Sequence, residues 1–303
     1  MAAVYTAEEI LEIAGGRLAA GNIGPETGAI STDTRQIKEG DWFVALEGRR
    51  YNGHDFLGDA FSNGAIGAIV SERTGYAIAS HSFPLIAVEA PGKALSCLAR
   101  NWRRRLNPQV IVLCGDGDEL VNLIRVVATG QRLKVTCLNR CAKAKEAAEL
   151  VLDMPEDNKL IVVGLSPCDL NEVENAAIAL EPNILSFLPM AFDNLRLTSD
   201  PLDLKAAKIS LTRNLNRMWA WILSSEGSDE SMPGDSTATL LTCPQKFFEE
   251  PKWQKRPNAF GPSLAEDYEQ ALSALSVRLN HGRAWLCTTA CALAGIAPGR
   301  LID

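Results

Sequence analysis

Three runs in this chain show no polar face: VIVLC at 110–114, LIVVGL at 160–165 and ILSF at 184–187, where Ser186 is the one polar residue. A strand with one face in water alternates polar and apolar residues; a run with no polar face must be covered on both sides. Helical patterns separate and follow these runs, at "AKAKEAAELVLDM", "NEVENAAIAL" and "DLKAAKISLTRNL". One more strand, "LKVTCLN", follows the first run, and a helix, "GKALSCLARNWRRRL", precedes it. Strands alternating with helices predict a mostly parallel sheet covered by helices, with ligands bound beyond the carboxyl ends of the strands. The fold class is therefore α/β.

Residues 1–88 have a different rhythm. "TAEEILEIAGG" opens with a capping box between Thr6 and Glu9 and stops at Gly15-Gly16. Short strand-like pieces follow at "GAISTDTRQI", "WFVALEG", "IGAIVSE" and "FPLIAVE", with a helix at "DFLGDAFSNGA". The chain of 303 residues is long enough for two domains. The expected division is a small α/β domain over 1–88 and a larger one over 89–303. In the last third, "SSEGSDESMPGDS" and "EEPKWQKRPNAFGPS" read as loops and "TATLLTC" as an antiparallel edge strand. "AEDYEQALSALSVRL" and "AWLCTTACALAGI" read as helices.

Composition removes several classes. With 47% hydrophobic and 22% charged residues the chain is globular. A net charge of −7 argues against nucleic acid as a partner. The basic run "NWRRRLNP" closes a helix, where positive charge is favourable for local reasons. No apolar run reaches the ~20 residues of a membrane span. The start "MAAVYTAEEI" lacks the pattern of a signal peptide, so a cytoplasmic location is expected. The eight cysteines form no CxxC pair, and only three histidines are present. No metal site is expected from them; buried, reduced thiols are. Cys137/Cys141 and Cys287/Cys291 would each share a helix face if helical.

The stretch "VIVLCGDGDELVNLIR" has the strand, glycine turn and helix of a phosphate-binding loop. Such a loop turns backbone amides toward phosphate and adds a lysine and a magnesium-ligating hydroxyl. Here Gly115 and Gly117 keep the turn, but Asp116, Asp118 and Glu119 bring three carboxylates to it. A close like-charge contact with phosphate costs about 1–4 kcal/mol. The three acids are expected to cap the helix N-terminus themselves.

The run "STDTRQIKEGDWFVALEGRRYNGHDFLGDAFSNGAIGAIVSER" resembles the N-terminal domain of the Mur ligases, nearest to the members that add D-alanyl-D-alanine. S-T-D-[ST]-R, G-D-x-F-V-A-L-x-G and the G-H-D-F run carry the resemblance. It implies a UDP-substrate domain over 1–88 and a reduced, P-loop-like ATPase domain over 89–303. The family uses ATP and magnesium to activate a carboxylate, and a third domain holds the incoming amine. That third domain is expected to be absent, since "GIAPGRLID" stands where the central domain should hand over.

Other departures follow from the same resemblance. Glu119 stands at the family's lysine and Leu120 at its hydroxyl. Val162-Val163-Gly164 replaces a run that begins with a catalytic, metal-binding glutamate, and "LSPCDL" lacks a histidine expected there. Pro189 and Asn194 stand near the asparagine and at the histidine of another family segment, and Ala284-Trp285 replaces a nucleotide-contacting pair. Lys208 matches a lysine that helps hold metal in the family, and without the other ligands it reads as a helix-surface residue.

The resemblance therefore implies a pseudoenzyme with no catalytic residues, no metal and no cofactor, working through a protein partner. Trp219, Trp221, Trp253 and Phe260 are the aromatic candidates for a partner face. Two alternatives stand beside it: a UDP-sugar (UDP-MurNAc-peptide) sensor tied to peptidoglycan synthesis, and a residual ATP-dependent amide ligase completed by another subunit. Ser31, Thr32, Asp33, Thr34 and Arg35, with Asn52, Gly53, His54 and Asp55, match the family's UDP loops. Arg35 could pair with a diphosphate. The same residues could equally serve the turns alone, Asp33 through an Asx-turn and His54 as a structural donor.

Overall fold

The structure is a computed structural model and describes residues 3–48, 51–74, 83–115, 117–166, 170–187, 201–216, 221–224, 239–242, 287–291, 293, 294 and 296. Two compact units are present: Met1–Arg105 with Ala148–Glu156, and Leu106–Ala147 with Asp157–Asp303.

The first unit contains β1 (Val4–Tyr5), α1 (Ala7–Ala14), β2 (Arg17–Ala20), β3 (Gly28–Ser31), β4 (Trp42–Val44), α2 (Leu57–Ser62), β5 (Gly67–Ser71), β6 (Leu85–Val88) and α3 (Pro91–Leu106). Its sheet runs β1-β3-β4-β5-β6-β2. The four central strands are parallel; β1 and β2 pair antiparallel at the two edges. These two edge strands have two and four residues, too short to show alternation in the sequence. The capping box on α1 forms as expected. Thr6 Oγ1 accepts from the Glu9 amide at 3.2 Å, the Glu9 carboxylate accepts from the Thr6 amide at 3.0 Å, and Gly15 closes the helix at φ 67°.

Large and small residues interlock in this sheet. Trp42 pairs in register with Gly67, where any Cβ would come within 2.2 Å of the indole ring. Phe43, Ala45, Val70, Leu85 and Ala87 meet Leu57 and Ala60 of α2 in one core. The basic run does end α3, and Arg105 there pairs with Glu9 at 2.8 Å and lies over the Tyr5 ring. Tyr5 donates to the Leu98 carbonyl at 2.7 Å, and burial pushes its phenol well above the usual range.

The second unit contains β7 (Gln109–Cys114), α4 (Asp118–Gly130), β8 (Val135–Cys141), α5 (Ala144–Leu152, whose last residues count with the first unit), β9 (Leu160–Leu165), α6 (Leu170–Leu180), β10 (Ile184–Phe187), α7 (Pro201–Arg213), β11 (Trp221–Ser224) and β12 (Thr239–Thr242). The order is β12-β11-β10-β7-β9-β8, parallel throughout. Both faces are covered, as the apolar runs require. Ile111, Leu113, Leu160, Val162 and Ile184 are buried on one face with α4 and the helical residues 287–291. Val110, Val112, Ile161, Val163 and Leu185, which alternate with them, are equally inaccessible.

Two expectations need correction. β12, in "TATLLTC", is an edge strand but parallel to β11. Residues 225–238 separate the two strands, a crossover-length connection where an antiparallel pair would take a tight hairpin. Trp221, a candidate for a partner face, opens β11, and its side chain lies outside the described residues. Cys137 and Cys141 lie on a strand rather than a helix, and a bulge falls between Leu138 and Cys141. Cys287 and Cys291 do share a helix and a core. Burial pushes the Cys137 thiol up to about 11 and Cys141 up to about 12, so neither is a thiolate at neutral pH.

The expected loops at 224–236 (beyond Ser224) and 249–263, the helix at 265–279, and Pro189, Asn194, Trp219, Trp253, Phe260, Ala284 and Trp285 lie outside the described residues. Among the described residues no helix is long and apolar enough to cross a membrane, and no group of three His, Cys, Asp or Glu side chains could hold a metal.

Candidate functional site

In the first unit the family-like residues sit where parallel strands end. β3 closes at Ser31, and the loop carrying Asn52–Asp55 leaves the neighbouring β4. Nearly every side chain of the set is bonded within the unit. Ser31 Oγ donates to the Asp33 carbonyl at 3.2 Å, and Thr32 Oγ1 donates to the Glu149 carboxylate. Asp33 caps the short turn Thr34–Gln36, accepting from the Arg35 amide at 3.0 Å. It also takes the Arg35 guanidinium in a two-pronged grip, Nε at 2.9 Å and Nη2 at 2.6 Å. The hydrogen bond it donates to Asp33 holds Arg35 firmly protonated, yet its side chain is 86% exposed. The Thr34 carbonyl accepts from Asn63 at 2.9 Å.

The second loop is tighter. Asn52 Oδ1 accepts from the His54 amide at 3.1 Å and faces His54 Nδ1 at 2.7 Å. Gly53 donates to the Leu46 carbonyl at 2.8 Å, and a Cβ there would lie 2.6 Å from the Leu46 nitrogen, so only glycine fits. His54 is 3% exposed and takes the Ser71 amide on Nε2 at 2.9 Å. Asp55 lies on the surface. Glu149 and Ser71 were missed by sequence reasoning; Ser71, a polar residue ending the apolar run "GAIVS", is the one with a signal.

In the second unit the loop Gly115–Gly117 follows β7, the central strand. The chain turns one way after β7, toward β8, and the other way after β10, so this loop borders the topological switch point. Gly115 has φ 111°, the left-handed region that glycine tolerates. Its amide donates to the Leu165 carbonyl at 3.0 Å and its carbonyl accepts from the Gly117 amide at 2.9 Å and from Ser166 Oγ at 3.3 Å. Two amides of the turn are thus committed inside the protein.

The capping expectation is met only in part among the described residues, which do not include Asp116. The N-cap of α4 is Gly117, and no side chain caps it. Asp118 and Glu119 fall one and two residues too late, in the first turn, where they still suit the helix dipole. Asp118 instead pairs with Arg140, whose φ of 51° marks the bulge in β8. Arg140 was missed, because a bulge that re-aims a strand residue leaves no periodic trace. Glu119 is exposed; Leu120 is fully buried in the core of α4. Gly164 follows β9's apolar run without a carboxylate, and a Cβ there would meet Val121 Cγ2 at 3.3 Å. Lys208 is half-buried on α7 rather than a free surface residue, its Nζ 5.5 Å from the Phe187 ring centroid.

No family model matches the chain. The chain is 23% identical over 211 residues to the UDP-N-acetylmuramoyl-tripeptide–D-alanyl-D-alanine ligase of Haemophilus influenzae, covering 65% of this chain and 44% of that protein. It is 35% identical over 109 residues to the UDP-N-acetylmuramoyl-L-alanyl-D-glutamate–2,6-diaminopimelate ligase of Alkalilimnicola ehrlichii, covering 36% of this chain and 21% of the relative. Among solved structures it matches MurF from Acinetobacter baumannii with a TM-score of 0.66 at 18% identity, over 80% of this chain and 53% of that one. This chain is similar in sequence to the Mur ligases and shares their fold over the matched part. MurF from Thermotoga maritima, solved with ADP, gives a TM-score of 0.55 at 18% identity, over 71% of this chain and 50% of that one. The chain spans about half the length of the Mur ligases it matches most broadly.

Proposed function

We propose that this chain is a MurF-like protein that has lost ATP-dependent ligase chemistry and works through protein partners. The observation that carries the proposal is the turn before α4. Glu119 stands at the lysine position, the hydroxyl position is a buried leucine, and Asp118 is held by Arg140 beside amides already bonded within the protein. An anionic nucleotide entering there meets carboxylates where a phosphate loop carries its lysine. In this reading residues 1–88 are a UDP-substrate-type domain kept as scaffold, and 89–303 a degenerate ATPase-type domain.

Calorimetry with ATP and Mg²⁺ tests the chemistry. No saturable heat is expected, and a micromolar dissociation constant would overturn the reading. Affinity capture from the native host, repeated with isolated MurF as bait, tests the role. Partners specific to this chain are expected, and an identical set for both baits would remove the scaffold proposal.

A second reading keeps one specific observation: Arg35 remains exposed at the end of β3. A UDP-sugar sensor would use it, and titration with a UDP-N-acetylmuramoyl species decides. No binding at about millimolar ligand, a free energy near −4 kcal/mol, excludes that role.

A further inference from the structure

Both ring nitrogens of His54 are assigned by the groups that face them. Asn52 Oδ1 is fixed as an acceptor because it takes the His54 backbone amide, so Nδ1 across from it must carry the hydrogen. On the other side the Ser71 amide can only donate, so Nε2 must be bare. The two constraints agree on one species, the neutral imidazole protonated at Nδ1. That ring joins the turn Gly53–Phe56 to the end of β5 and is almost wholly buried.

We propose that His54 is a proton-sensitive clamp, which holds the Gly53–Phe56 turn on β5 when neutral and releases the turn when Nε2 takes up a proton. An imidazolium would present N–H to the Ser71 N–H, replacing a hydrogen bond by two facing donors in a buried place. Three elements pack on the ring. Its own turn brings the Asp55 carboxylate, the preceding loop brings Glu47, and β5 brings the Ser71 amide. The two carboxylates favour the charged ring, but burial outweighs them and lowers its proton affinity. Tyr51 and Asn52 lead into the released turn, the former largely exposed. The inference is independent of the loss of ligase chemistry.

The test uses the full chain and His54→Gln. Glutamine can accept from the Ser71 amide and donate to Asn52 without titrating. Nitrogen-detected NMR of the wild type at about pH 8 should show the Nδ1–H tautomer. Amide exchange, corrected for intrinsic rate, should show protection of Ser71 falling toward tenfold per pH unit below the folded-state titration in the wild type. His54→Gln should show less than about twofold change over the same range. An Nε2–H tautomer overturns the proposal. So does equal pH dependence in the two proteins. If His54→Gln does not fold, the tautomer and the wild-type Ser71 profile still decide, and a flat profile overturns the proposal.

Discussion

At the carboxyl edge of the first sheet, the polar side chains that match the family's loops bond within the unit: Ser31 to the Asp33 carbonyl, Asp33 to the Arg35 side chain, Asn52 to the His54 ring and His54 to the Ser71 amide. At the carboxyl edge of the second, the proposed reading has the backbone path of a phosphate loop kept and its side-chain types replaced. Gly115 still turns in the left-handed region and α4 still starts behind it, but Asp118, Glu119 and Leu120 occupy its first turn. The contrast separates two requirements that a working ligand loop meets together. Hydrogen-bonded side chains can hold a turn without any ligand, so in the proposed reading the first edge persists as architecture. A phosphate loop needs both its path and its charge, and the path alone follows from strand, turn and helix packing.

The strongest challenge to that contrast is restoration of the second loop. Glu119→Lys with Leu120→Thr puts back the family's residue types. Leu120 is fully buried with Val121, Ile124 and Leu113, so the exchange opens a cavity and buries a hydroxyl. A loss of about 3 kcal/mol in urea denaturation is expected, without gain of ATP·Mg²⁺ binding by calorimetry. A stable double variant that binds ATP would mean that the loop geometry is still functional, and the contrast would fail.

Glycines sharpen it next. Gly53→Ala forces a Cβ against the backbone of Leu46 and Ala45, atoms that cannot move aside. A loss of about 1–3 kcal/mol is expected. Gly164→Ala, at the edge of the second sheet, meets only the tip of Val121 and should change stability by less than about 1 kcal/mol. Equal losses in a matched denaturation series would show that the two edges are packed alike.

The residues that made the fold legible were those whose packing leaves a periodic trace. The runs without a polar face at 110–114, 160–165 and 184–187 became central strands, and the Thr6/Glu9 capping box formed. β1 and β2 left no trace because they are short edge strands held by backbone pairing to β3 and β6. At the candidate sites, residue types were legible and their partners were not. Thr32 meets Glu149 and Asp118 meets Arg140, pairs 117 and 22 positions apart in sequence. No local pattern encodes such a pairing. Of the acids expected to cap α4, Asp118 and Glu119 fall after the N-cap, Gly117, and Asp116 lies outside the described residues.

Acidification separates the edges by another route. Burial lowers the His54 proton affinity, so between its ordinary value of about 6.5 and its lower folded value the unfolded chain holds a proton that the folded chain does not. The His54 contribution is therefore complete above about pH 6.5 and is lost as pH falls through the folded value. Urea midpoints for the wild type should fall over that window more steeply than those of His54→Gln. Parallel curves would assign the acid sensitivity to other groups.

The smallest effect belongs to the ion pair that closes the second loop. Arg140 is 80% exposed and Asp118 24%, so water and salt screen their attraction. Arg140→Ala should cost no more than about 1 kcal/mol, and less in high salt. Arg140 also stands at φ 51°, where alanine is strained as well, so Arg140→Gly supplies the control. If the pair only covers a loop that no longer receives phosphate, neither variant will alter the absence of ATP binding. If Asp118→Asn, which frees Arg140 and removes one carboxylate, confers saturable binding of inorganic pyrophosphate, the turn still has the geometry of an anion site. The second edge would then differ from a working loop in charge alone.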